Sequence, residues 1–130
     1  MRNLTHISRL AVCAAGLFLF SGIAPAGEKK LMHCFVFTPI ESASVAEWRA
    51  FYEATDQLPK KIPGISHVWY GKLRRPLTVD GGERKYGVCM EMANEDTLKS
   101  YGEHPFHKEW MNSYSKVRVE GTTTFDILGQ

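Results

Sequence analysis

The stretch from Leu31 to Phe37, Leu-Met-His-Cys-Phe-Val-Phe, is apolar at odd and even positions alike. Successive side chains of a strand point to opposite faces, so this run has no face to give to water. It predicts a central strand covered on two sides. The chain is thereby restricted to folds that supply two covers, and Thr38-Pro39 ends the run.

The rest of the chain offers one cover only. Ser44-Val45-Ala46-Glu47 has the spacing of a capping box, in which each of the two polar side chains satisfies the other's backbone N–H. Val45, Trp48, Phe51, Tyr52, Thr55 and Leu58 follow on one helical stripe, which Pro59 is expected to stop. Ile62-Pro63-Gly64-Ile65 turns into a second strand over residues 66–71, with His67, Trp69 and Tyr70 on an expected edge. Residues 72–84, with Pro76 and Gly81-Gly82, read as a flexible loop. A third strand is expected over residues 85–92. Asn94 caps a helix through Leu98 and Tyr101, His104-Pro105 breaks it, and a further helix spans residues 106–117. Residues 122–128 form the last strand.

That order is β-α-β-β-α-β with an extra helix: an α+β, ferredoxin-like fold around a four-stranded antiparallel sheet. Helices on one face leave the other face bare. A second copy of the chain is the expected cover, giving a homodimer with its sheets packed face to face, a dimeric α/β barrel.

Ahead of this domain, Arg2 and Arg9 precede an apolar run from Leu10 to Phe20, followed by Ala24-Pro25-Ala26. A basic start, a short apolar stretch and small residues at an A-x-A-like site are the marks of a secretory leader. The run is too short to span a bilayer, so cleavage after Ala26 is expected to leave no stable membrane anchor. The expected division is therefore a leader over 1–26 and one domain over 27–130, secreted or periplasmic. Removing Arg2 and Arg9 from the 16 basic residues leaves fourteen, against 14 acidic ones. With no basic excess, no nucleic-acid partner is expected. Cys34 and Cys89 survive cleavage. Both lie in apolar strands, and we read them as buried thiols in preference to a bridge, which an exported protein also permits.

Three features together resemble a known family. They are His33 in the first strand, the Ile62-Pro63-Gly64-Ile65 turn, and Tyr101-Gly102-Glu103-His104-Pro105-Phe106-His107. They are similar to the strand histidine, I-P-G turn and Y-x-x-H-P-x-H of the stress-responsive A/B barrel (Dabb) family, over about residues 31–128. The resemblance implies a dimeric α+β barrel. The family includes a plant polyketide cyclase that uses a tyrosine and the second histidine of its H-P-x-H for an aldol-type ring closure. By position these are Tyr101 and His107, with His33 in support. Tyr86 stands where that enzyme has a further histidine.

Cyclisation needs a base beside a carbonyl and a donor for the enolate oxygen, roles that histidine and tyrosine fill near neutral pH. Tyr101 and His107 are thus the candidate catalytic pair, the proline break swinging the His107 ring back toward Tyr101. His33, His104, Trp48 and Tyr52 are candidate ligand-binding residues. For His104 the competing role is to cap backbone N–H groups at the helix junction. Trp110, Met111 and Tyr114 form the apolar side of the last helix and join an aromatic pocket between helices and sheet.

Three functions fit: a binder of a small apolar or aromatic molecule, a cofactor-independent cyclase or lyase of polyketide-like substrates, and a metal- or haem-dependent oxidative enzyme. No cofactor is expected on the first two. The third draws on convergence of His33, Glu103, His104 and His107, although no Cys/His spacing marks a zinc site.

Overall fold

The doubly apolar run forms a strand, β1 (Leu31–Phe37), inside a four-stranded sheet. The computed structural model describes residues 29–130; the expected leader and the expected cleavage after Ala26 lie outside the described residues. After β1 come α1 (Val45–Lys61), β2 (Ile65–Val79), β3 (Gly82–Met92), α2 (Glu95–Glu103), α3 (Pro105–Tyr114) and β4 (Thr123–Leu128). The strands lie in the order β2-β3-β1-β4, every pair antiparallel. This is the expected α+β ferredoxin-like architecture, its second helix split at His104-Pro105.

Local chemistry sets most element ends. Ser44 Oγ accepts from the Glu47 N–H at 3.2 Å, while the Ser44 N–H donates to Glu47 Oε2 at 2.7 Å, so the capping box closes on both sides. Asn94 Oδ1 accepts from the Thr97 N–H at 2.9 Å and starts α2.

Two boundaries differ from the sequence expectation. Pro59 lies within α1, which runs on to Lys61. A proline removes only its own N–H, and here that loss falls in the final turn; the Ile62 N–H still reaches the Leu58 carbonyl at 3.0 Å. Residues 72–84 are not a flexible loop but the two arms of a long hairpin, with a register shift between Lys72 and Leu77 absorbing Pro76. Its tip is Asp80-Gly81, both with positive φ, 50° and 77°. That pair of left-handed residues matches the twist of the strands it joins.

Gly64, with φ of 91°, sits where a Cβ would fall 2.5 Å from Thr97 Oγ1. The I-P-G turn thus packs directly on the first turn of α2.

The two faces of the sheet are unlike. Leu31, Phe35 and Phe37 of β1 and Val88, Met90 and Met92 of β3 point toward the helices, where Phe51, Leu58, Trp110 and Tyr114 complete the core. On the other face a row crosses all four strands: Trp69 opposite Cys89, Cys89 opposite Cys34, Cys34 opposite Phe125. Trp69, Leu77, Phe125 and Ile127 remain 43–57% exposed there or at its margin.

Cys34 and Cys89 form a disulfide, contrary to the reading as free thiols. Register decides it. Antiparallel pairing sets the two residues directly opposite, Cα atoms 4.1 Å apart, with both side chains on one face.

Candidate functional site

Strand alternation puts His33 and Phe35 of β1, and Thr124 and Asp126 of β4, on the helix side of the sheet, with Thr124 opposite Phe35 and Asp126 opposite His33. Above them α2 presents Leu98 and Tyr101, three residues apart. α3 presents His107, Trp110, Met111 and Tyr114 at helical spacing. Between these layers lies an open cavity of about 380 Å³, walled by aromatic and aliphatic side chains with few polar groups. Its size and lining are those of a small-molecule site.

The polar groups gather in two places. His33 Nδ1 lies 2.6 Å from Asp126 Oδ1, and the His33 ring centroid is 5.8 Å from that of Tyr101. An ionised carboxylate can only accept, so Nδ1 donates to Asp126 and the contact fixes the orientation of the ring. Tyr101 and His107 touch, ring centroids 4.4 Å apart. His107 in turn stacks on Trp110 at 5.9 Å and 19° between planes.

Burial governs both members of that pair. It raises the Tyr101 hydroxyl well above the usual tyrosine range, with the nearby Tyr114 hydroxyl adding to the effect. Burial also lowers the His107 imidazole, opposed by a hydrogen bond to the Gly102 backbone and aided by His33. At neutral pH the site therefore holds a neutral imidazole beside a firmly protonated phenol, a proton acceptor next to a donor.

The structure sorts the sequence candidates. His33, Tyr101 and His107 share the cavity, and the proline break turns His107 toward Tyr101 as expected. His104 does not line it. The His104 Nδ1 accepts from the Phe106 N–H at 3.1 Å and caps α3, the structural alternative. Trp48 and Tyr52 do not line it either. They pack with Phe51, Tyr70 and Tyr86 between α1 and the β2–β3 side of the sheet, where Tyr86 lies 4.8 Å from Trp48 and 5.9 Å from Phe37. Among the described residues no three His, Cys, Asp or Glu side chains group as metal ligands would, so His33, Glu103, His104 and His107 do not converge.

Arg118, which lines the cavity, and Asp126, which holds His33 without lining the cavity itself, escaped the sequence reading. A signal for Asp126 existed: it is the single charge in an otherwise β-branched and apolar strand, two positions from Thr124 and Leu128.

Burial of neutral His107 has a consequence for stability. Its folded pKa lies below the ordinary 6.5, so the unfolded chain takes up this proton first. The contribution is complete above pH 6.5 and is lost as the pH falls from there through the lower, folded value. His107→Gln is expected to flatten this part of the profile, read from urea midpoints between about pH 8 and 5. Equal slopes for the two proteins would refute the burial of this ring.

The stress responsive A/B barrel domain model matches residues 31–128. Among solved structures, a dimeric protein of unknown function with a ferredoxin-like fold from Bacteroides fragilis is 24% identical, with 75% of this chain and 94% of that one covered and a TM-score of 0.57. A Dabb family protein from Mesorhizobium loti is 21% identical, with 79% and 99% covered and a TM-score of 0.61. The hydroxynitrile lyase of Passiflora edulis is 11% identical, with 81% and 96% covered and a TM-score of 0.65. At these identities the likeness is one of fold. No curated protein matches the chain.

Proposed function

Because the chain belongs to the stress responsive A/B barrel domain family, we propose that it acts as an exported homodimer that holds a small, mainly apolar aromatic molecule between the sheet and the α2–α3 pair. The observation that carries this is the cavity: about 380 Å³, walled by Phe35, Trp110 and Tyr114, with His33, Tyr101 and His107 converging on it. Export rests on the leader pattern through Ala26. The dimer rests on the bare sheet face with its exposed Trp69, Phe125 and Ile127, and several relatives of the same fold are described as dimeric.

A second reading, a cofactor-independent lyase or cyclase, is favoured by one specific arrangement, the neutral His107 ring against the protonated Tyr101. His107 would remove a proton next to a carbonyl, and the Tyr101 hydroxyl would donate to the enolate oxygen. In a ring closure the enolate carbon attacks a second carbonyl, and the resulting alkoxide takes back a proton from the imidazolium. The Asp126-oriented His33 would be a further polar group in reach of the same volume. One hydroxynitrile lyase shares the fold, but its name transfers no chemistry at 11% identity.

Native mass spectrometry of protein purified from its own host is expected to show a dimer, each chain beginning at Gly27, with a retained small molecule. A monomer of full length with nothing bound would end this proposal. The catalytic reading predicts that the purified protein exchanges α-protons of an aryl ketone into heavy water, and that His107→Ala and Tyr101→Phe each slow exchange 10²–10⁴-fold. Unchanged exchange in both variants would leave binding without catalysis.

A further inference from the structure

The end of the cavity farthest from His33 carries charge with no carboxylate paired to it. Arg118 lines it, its guanidinium carbon 4.8 Å from the Tyr114 ring centre. Its Nε is buried and has no hydrogen-bond partner, the only buried side-chain nitrogen or oxygen among the described residues of which this is true. Arg84 stands close by, spending its donors on hydroxyls: Nε on Thr123 Oγ1 at 3.2 Å and Nη1 on Thr38 Oγ1 at 3.1 Å. The ion pairs formed among the described residues are Lys30–Glu91, His33–Asp126 and Lys85–Glu83, and neither arginine takes part.

An arginine facing an apolar cavity ordinarily has a carboxylate beside it, because an unanswered charge or donor is unfavourable there. Here the guanidinium lies over the Tyr114 ring, and its N–H groups form a fork of the kind that matches a carboxylate. The hydroxyls of Thr122 and Thr124 are the other polar groups nearby, and Thr122 Oγ1 is held by the Tyr114 hydroxyl at 2.8 Å. Asp126, whose charge would repel an anion, does not line the cavity: it lies four positions beyond Thr122, about 13 Å of extended chain away, and is paired with His33.

We infer that this end is an anion subsite: Arg118, with Arg84 behind it, seats the carboxylate of an aromatic acid whose ring lies along Phe35, Trp110 and Tyr114. The inference rests on the cavity being a ligand site and adds the class of ligand. Seated this way, the acid's far end reaches toward His33, Tyr101 and His107, so the charged group anchors and the opposite end meets the proton-transfer side chains.

The test is a binding panel followed by calorimetry and by amide chemical shifts: phenylacetate, 3-phenylpropanoate and 4-hydroxybenzoate, each against its primary amide, on wild-type protein, Arg118→Gln and Arg118→Lys. At least one acid should bind wild type tenfold or more tighter than its amide. Arg118→Gln should abolish that preference by weakening the acid tenfold or more beyond any change in the amide, and Arg118→Lys should keep part of it, since the charge stays and the fork is lost. If Arg118→Gln does not fold, the wild-type ratio and Arg118→Lys still decide. Amides binding as well as acids would overturn the anion subsite while leaving the cavity as a ligand site. No binding by any acid or amide would overturn both.

Discussion

Trp110→Ala is expected to lower folding stability by about 4 kcal/mol, the range for removing a large aromatic side chain from a packed core. Trp110 is 1% exposed and joins three layers at once. Its ring meets Phe35 at 5.6 Å from the sheet, Phe51 at 6.1 Å from α1 and Tyr114 at 4.9 Å on its own helix. The indole N–H donates to Thr55 Oγ1 at 3.0 Å, and that hydroxyl donates onward to the Phe51 carbonyl at 2.7 Å. For a domain of this size such a loss lowers the melting temperature by roughly 15–30 °C. Trp110→Phe keeps most of the bulk and should cost less than half as much. Urea unfolding of the three proteins measures this directly. A loss below about 1 kcal/mol for the alanine variant would mean that the ring does not hold the three layers together. Ligand binding should fail in the alanine variant even under conditions where it stays folded, because the same ring walls the cavity.

Reducing the Cys34–Cys89 bond should have an effect of similar size. The two residues are 55 apart in sequence. Closing a loop of that length restricts the unfolded chain by about 4 kcal/mol on the chain-entropy account. Urea unfolding with and without a strong thiol reductant should show that difference, and a Cys34→Ala/Cys89→Ala variant should be indifferent to reductant. Equal midpoints for wild type in both conditions would show that the bond contributes nothing. The bond suits an exported protein, since oxidising compartments preserve such links.

Much of the fold could be read from the residues because local rules and the tertiary outcome agree. The Ser44–Glu47 box, the Asn94 cap and the His104-Pro105 break act within a turn of themselves, and each element begins or ends there. The doubly apolar β1 announced a central strand. Where the reading failed, information was used too weakly or was absent. Asp80-Gly81 between two runs of alternating residues is a strong hairpin signal, but Pro76 and Gly82 drew attention to a loop. Pro59 is a helix breaker by residue type, but its place in the last turn of α1 makes its missing N–H harmless.

Pairings across distance were another matter. Whether Cys34 meets Cys89 depends on the register of β1 against β3, and a slip of one residue would send the two sulfurs to opposite faces. The His33–Asp126 contact spans 93 positions and follows from β1 lying beside β4. Nothing near either residue encodes it. Tyr101 and His107 were found because they flank one proline. Trp48 and Tyr52 were misplaced because a helix stripe shows which face is buried, not which side of that face borders a void.

The placement of β1 between β3 and β4 carries a consequence for how the molecule comes into being. β1 has one neighbour, β3, that follows mid-chain and another, β4, that follows every other element of the domain, and the Gly129 N–H closes on the Lys30 carbonyl at 2.7 Å. Until β4 has been made, one side of the most apolar strand has open backbone groups and no cover. A chain that emerges from its front end must carry that unfinished edge until β4 follows, so any holding factor would be needed early and released late.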